Sequence, residues 1–166
     1  MNKDKIFIFD TTLRDGAQTE GVDFTVNDKV KIAKRLNDIG VDYIEGGWPG
    51  ANPTDTEYFN TPQKLETSIF TAFGMTKKLG RSADNDPSLA PILNANTKAV
   101  CIVGKTWDFH VDVALGIKKN ENLINIKETA KYFIKNNREF IFDAEHFFDG
   151  YKNNSTYALD CLKQAY

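Results

Sequence analysis

The sequence has little of several features that would classify it at once. Only two cysteines, Cys101 and Cys161, occur among 166 residues, far apart and each inside an apolar pattern. That excludes a disulfide-stapled scaffold and reads as reduced, buried thiols in a cytoplasmic protein. The two histidines, His110 and His146, form no pair at zinc-finger spacing with each other or with cysteine. Net charge is −2, so no basic surface argues for nucleic acid. No apolar run is long enough to cross a bilayer, and the Lys-rich start lacks the apolar stretch of a signal peptide, so no membrane partner is expected. No Gly-rich phosphate loop follows the first strand, which argues against a nucleotide-binding sheet. No Ser or Cys sits on a nucleophile elbow. Low-complexity segments and long linkers are also missing, so residues 1–166 read as one domain.

What is present is ordinary globular composition, 41% hydrophobic and 27% charged. Strand signals recur at Ile6–Phe9, Val41–Glu45, Ile69–Phe73, Ala99–Val103 and Phe140–Ala144. They are short and rich in Ile, Val and Phe, as strands covered on both faces are. Helical patterns fill the gaps. The clearest, Val26 to Ile39, places Val26, Val30, Ala33, Leu36 and Ile39 on one face; Thr25 and Asp28 make a capping box, and Gly40 stops it. A second runs from Pro53 toward Leu65, broken near Pro62. A third starts at Asp86-Pro87, with Asp as N-cap and Pro at the first helical position. A fourth covers Glu121–Asn136, and a fifth begins near Ser155.

A βα unit repeated five times fits a parallel sheet wrapped by helices. Two folds remain open on these grounds. One is a five-stranded flavodoxin-like sheet, complete at this length. The other is the first five-eighths of a (β/α)₈ barrel, which needs about 250 residues.

In both folds the chemistry lies past the C-terminal ends of the strands. After the first strand come Arg14, Asp15 and Gln18: a planar cation suited to carboxylate, a hard oxygen ligand suited to a divalent metal, and an amide. A polar turn is the plain alternative. Glu45 ends the second strand, where a lone carboxylate is costly unless paired, and Arg14 is its natural partner. It is followed by a Gly/Pro loop that keeps backbone close to a ligand. Lys77, Lys78 and Arg81 read as a solvated basic loop rather than a phosphate site. His110 follows the fourth strand, in the run Lys105-Thr106-Trp107-Asp108-Phe109-His110. Asp143 and Glu145, two apart, point to one side of the fifth strand, where an apolar pair would be the default. A carboxylate there is placed to be tuned as a general base.

Phe9-Asp10-Thr11-Thr12-Leu13-Arg14-Asp15-Gly16-Ala17-Gln18 resembles the opening signature of the 2-isopropylmalate, homocitrate and citramalate synthase family. The segments Val41–Asp55 and Asp143–Tyr151 are similar to the citramalate branch, which joins acetyl-CoA to pyruvate on a route to isoleucine. The resemblance implies an α/β fold, a (β/α)₈ TIM barrel of which residues 1–166 are the N-terminal part, about five βα units, ending before strand 6. It implies a divalent metal (Zn, Mn or Mg), acetyl-CoA as substrate, small-molecule partners only, and a homodimer in the full-length enzyme. By the same resemblance Arg14 holds the 2-oxo acid and the developing alkoxide, and Asp15 is a metal ligand. Gln18, Glu45 and His110 lie near substrate, and Glu145 helps deprotonate the acetyl methyl. The family's His-x-His metal pair is not in this sequence, so Asp15 would hold a cation only weakly. Two other expectations stand beside this one: a metal-dependent lyase or aldolase of the same superfamily, and an inactive fragment that associates through open sheet edges.

Overall fold

The computed structural model describes residues 5–166. Five strands, β1 (Phe9–Asp10), β2 (Tyr43–Gly47), β3 (Ile69–Met75), β4 (Ala99–Lys105) and β5 (Glu139–Glu145), form one parallel sheet in the order β1-β2-β3-β4-β5. Every neighbour in space is next in sequence. With right-handed crossovers, that order sends each connecting segment to the same face of the sheet. A doubly wound sheet needs a reversal of strand order, and none occurs, which removes the flavodoxin-like alternative. The sheet curls into a half-barrel.

The helices are α1 (Val26–Asp38), α2 (Pro53–Asn60), α3 (Leu89–Asn94), a single turn α4 (Asp108–His110), α5 (Lys119–Lys135) and α6 (Phe147–Ala165). They pack on the convex face through three apolar clusters. Leu13, Ala33, Ile44 and Tyr58 join α1 and α2 to the sheet. Ala72, Val100 and Ile102 meet Leu89, Ile92 and Phe133 from α3 and α5. Val111, Ile126, Tyr157 and Cys161 sit between α5 and α6. Cys101 and Cys161 are both buried and free.

The concave face is apolar low down and charged at the top. Register pairs Phe73 with Cys101 and Ile141, then Met75 with Val103 and Asp143, then Lys105 with Glu145. Because strand residues alternate between faces, the same strands that bury Val100 and Ile102 outside present Val103, Lys105, Asp143 and Glu145 inside.

Several elements differ from the sequence reading. β1 is only Phe9–Asp10, and Ile6, Phe7 and Ile8 are 80%, 55% and 54% exposed rather than buried. An edge strand with β2 on one side only has no second neighbour to cover it. The helix expected at Asp86-Pro87 begins at Leu89. Asp86 is spent on a turn instead, its carboxylate accepting from the Lys78 N–H (2.7 Å) and from Ser88 N (2.8 Å) and Oγ (2.5 Å). Helix α2 stops at Asn60, short of Leu65. The turn α4, with the π-helical segment Val111–Leu115 that follows it, was not expected. Helix α6 starts at Phe147, not near Ser155; it kinks at Asn154, whose Oδ1 caps the second half by accepting from Tyr157 N at 3.2 Å. By contrast α1, its Thr25–Asp28 capping box and the left-handed Gly40 (φ +86°) stand where the sequence puts them.

Candidate active site

A cleft of about 780 Å³ opens at the C-terminal ends of the strands. Its floor is Phe73, Met75 and Val103, and its walls carry Arg14, Asp15 and Gln18 on one side and Lys105, Asp143 and Glu145 on the other.

Arg14 is the centre of this arrangement. Backbone N–H groups of Arg14, Asp15 and Gly16 all bond to the Thr11 carbonyl, so the chain turns sharply after β1 and aims Arg14 across the concave face. Its Nε donates to Glu45 Oε2 at 2.7 Å, its Nη1 to Asp15 Oδ1 at 3.2 Å, and its guanidinium lies 3.9 Å from the centroid of the Phe73 ring. A ring face beneath a cation stabilises it and flattens its motion. Glu45 is 1% exposed, and its Oε1 is buried without a hydrogen-bond partner. Burial pushes the Glu45 pKa up, against the opposing hydrogen bond and charge of Arg14.

Across the cleft, burial likewise raises the Asp143 carboxyl above its ordinary range, with Arg14 pulling it down and Glu145 pushing it up. Glu145 forms an ion pair with Lys105, the residue facing it in register on β4. The cleft therefore gathers cations and carboxylates against partly dry walls, a setting in which charge interactions are stronger than in water.

Of the residues singled out in the sequence, the structure brings Arg14, Asp15, Gln18, Asp143 and Glu145 to one cleft, with Glu45 behind Arg14. His110 is not brought to it. Its ring packs against Trp107 and His146, at centroid distances of 4.7 and 4.6 Å, and His110 does not line the cleft. Lys77 is no free cation either: it pairs with Glu128 at 3.0 Å and donates to the Arg81 carbonyl at 2.8 Å. Two residues were missed. Lys105 stood among the residues after the fourth strand, but its partner shows only in the β4–β5 register. Lys29 stood unnoticed inside α1.

Asp15, with 60% of its side chain exposed, faces the cleft and shares an oxygen with Arg14. Among the described residues no three His, Cys, Asp or Glu side chains group to hold a metal ion. One shared carboxylate does not fit a divalent cation by itself.

No helix among the described residues is long and apolar enough to cross a membrane. The chain is 48% identical over 164 residues to an (R)-citramalate synthase of Aquifex aeolicus, 98% of this chain and 31% of that protein. It is 34% identical over 132 residues to a 2-isopropylmalate synthase of Sulfurisphaera tokodaii, 80% of this chain and 33% of that one. It thus spans about 30% of the length of the curated relatives it matches. The crystal structure of hydroxymethylglutaryl-CoA lyase from Pseudomonas aeruginosa shares the fold, with a TM-score of 0.64 at 17% identity, over 83% of this chain and 45% of the lyase. The HMGL-like family model matches residues 5–165, and the chain belongs to that family.

Proposed function

We propose that the protein carrying this chain condenses acetyl-CoA with a 2-oxo acid, pyruvate giving citramalate. The observation that carries the reading is Arg14: an arginine pinned through Nε by a buried glutamate and backed by Phe73, at the wall of a cleft whose opposite wall holds Glu145. With Nε and one Nη1 hydrogen occupied, the Nη2 corner of the fork is left for a substrate carboxylate or developing alkoxide. Glu145 takes a proton from the acetyl methyl. The resulting enolate carbon bonds to the keto carbon of the 2-oxo acid. The carbonyl electron pair moves to oxygen, where Arg14 stabilises the alkoxide until it is protonated. Water then cleaves the thioester and CoA leaves. Lys105 keeps the Glu145 carboxylate oriented between turnovers. Gln18 lines the cleft beside Arg14 and contacts substrate. Asp15 is the oxygen ligand assigned to a divalent cation, by its resemblance to the family's strand-1 aspartate. We further assign the protein, as a homodimer, to the cytoplasm and to isoleucine biosynthesis; the relatives named citramalate synthase and two free, buried cysteines support that assignment.

The test offers the complete protein acetyl-CoA plus pyruvate, and separately a hydroxyacyl-CoA, and follows CoA release and product mass. Citramalate from the first pair is the expected result. Cleavage of the hydroxyacyl-CoA with no condensation would replace the synthase by a lyase.

A further inference from the structure

We infer that Lys29 is a positioning residue that sets the spacing of the Arg14–Glu45 clamp, an inference that rests on the function proposed above. Lys29 is the fourth residue of α1 and, unlike its neighbours in sequence Asp28 and Lys31, is 3% exposed. Its ammonium makes three bonds, one for each N–H. It donates to the Leu13 carbonyl at 2.8 Å, to the Gly46 carbonyl at 3.0 Å, and to the Asp55 carboxylate. Leu13 immediately precedes Arg14, and Gly46 immediately follows Glu45. One charge therefore ties together the two backbone segments that carry the clamp.

The third bond extends the tie to the loop after β2. Asp55, 7% exposed, accepts from the Trp48 N–H at 2.9 Å and from Asn52 Nδ2 at 3.0 Å through its second oxygen. Its approach requires Gly47. The backbone there has φ +146°, and a Cβ would lie 2.6 Å from the Asp55 carboxylate. Thus the Gly-Gly-Trp-Pro-Gly-Ala-Asn-Pro-Thr-Asp stretch, residues 46–55, has a physical use. It delivers a buried carboxylate to a lysine that otherwise meets only neutral carbonyls. Asp55 and Lys29 neutralise each other where neither charge would be tolerated alone.

The chemistry asks for lysine in particular. Three acceptors in three directions match a compact ammonium with three tetrahedral donors; a guanidinium is planar, longer, and has its donors fixed in one fork. An arginine would keep the charge and lose the convergence. Since Arg14 engages the 2-oxo acid and Lys29 touches no part of the cleft's far wall, loosening Lys29 acts on 2-oxo acid binding before it acts on acetyl-CoA binding.

The experiment uses the complete protein with two variants. Lys29→Met/Asp55→Asn removes both charges together, leaves no stranded ion, and keeps an amide oxygen for Trp48. Lys29→Arg retains the charge. For both, KM for pyruvate is expected to rise about 10²-fold, the scale set by misplacing a reacting group by about 1 Å. KM for acetyl-CoA and cooperative melting of the double variant stay near wild type. A merely structural ion pair would be rescued by arginine and would not split the two KM values. Wild-type pyruvate KM in the double variant, or in Lys29→Arg, overturns the inference. Should the double variant not melt cooperatively, Lys29→Arg alone decides. If the wild-type protein releases no CoA, the condensing reading fails, and calorimetric titration of pyruvate into wild type and Lys29→Arg still reads the clamp.

Discussion

Replacing Glu45 by Gln separates what the Arg14–Glu45 pair does for folding from what it does for binding. The folding side is governed by desolvation. Glu45 is 1% exposed and one of its oxygens finds no donor. Burial raises its pKa above the ordinary 4.5 in spite of Arg14. A raised carboxyl pKa means that folding favours the protonated form. That contribution is complete below the ordinary Glu range and is lost as pH rises through the folded-state value. At neutral pH the ionised Glu45 is thus a burden on the fold, and Gln relieves it. Losing one partner of a buried ion pair normally costs 3–5 kcal/mol because the other charge is stranded. Here Arg14 retains Asp15 at 3.2 Å and the charge of Asp143, so the two effects nearly offset. We expect stability within about 1 kcal/mol of wild type, roughly 2–4 °C in Tm. The binding side behaves differently. The Arg14 Nε bond loses its anionic acceptor and keeps only the charge of its donor, a loss of about 1–1.5 kcal/mol in holding the guanidinium. That is roughly a 5–10-fold rise in KM for pyruvate. Protonation of Glu45 in the wild type has the same effect, so wild-type pyruvate KM climbs on acidification while still above the ordinary carboxylate range. The Gln variant lacks that component and keeps only the one from Asp143. The assay is CoA release at saturating acetyl-CoA from pH 5 to 8, with thermal melts alongside. A Gln variant with wild-type KM and an unaltered acid limb would refute the clamp; a Tm drop beyond 10 °C would refute the desolvation argument.

How much of this the sequence carried depends on whether the deciding partner was local. Strands β3, β4 and β5 were legible because apolar runs bounded by polar residues need only their own composition. β1 was not, because Ile6, Phe7 and Ile8 look like core residues, yet among the described residues β1 pairs only with β2 and these three side chains stay exposed. Helix α6 was dated too late because Gly150 and Asn154 resemble breakers. Gly150 is instead a close-packing position, and Asn154 is a cap inside a kinked helix. The Arg14–Glu45 pair could be foreseen, since a carboxylate ending an apolar strand demands a cation and the nearest candidate ends the neighbouring strand. Lys29 was passed over although, three residues from Val26 and four from Ala33, it lies on the apolar face of α1. That spacing hinted at burial, but only the three acceptors gathered from residues 13, 46 and 55 explain why a lysine stands there. Lys105 failed in the same way: its meaning lies in a register with β5, forty residues on. His110 shows the converse case, a chemically suggestive residue whose ring packs against Trp107 and His146 outside the cleft lining.

Three further outcomes are expected. Glu145→Gln in the complete protein lowers kcat by roughly 10²–10⁴ with pyruvate KM little changed, the range for loss of a general base. Asp15→Asn weakens divalent-metal affinity measured by calorimetry, and unchanged affinity would remove Asp15 from any metal site. Gly150→Ala sets helix propensity against sterics within one residue. Alanine in a helix interior should gain about 1 kcal/mol over glycine. Yet a Cβ at Gly150 would lie 2.6 Å from the Thr106 carbonyl oxygen and 2.9 Å from Trp107 Cα, both backbone atoms that cannot swing aside. The loop after β4 must then retreat from the start of α6, and such overpacking costs about 1–3 kcal/mol. Thr106 Oγ1 also donates to the Glu145 carbonyl at 2.7 Å, so the displacement reaches the proposed base as well as the fold. Denaturant melts should therefore show a net loss of stability, and kcat should fall while pyruvate KM holds. A Gly150→Ala protein more stable than wild type would mean that α6 and the β4 loop are not packed as tightly as this geometry requires.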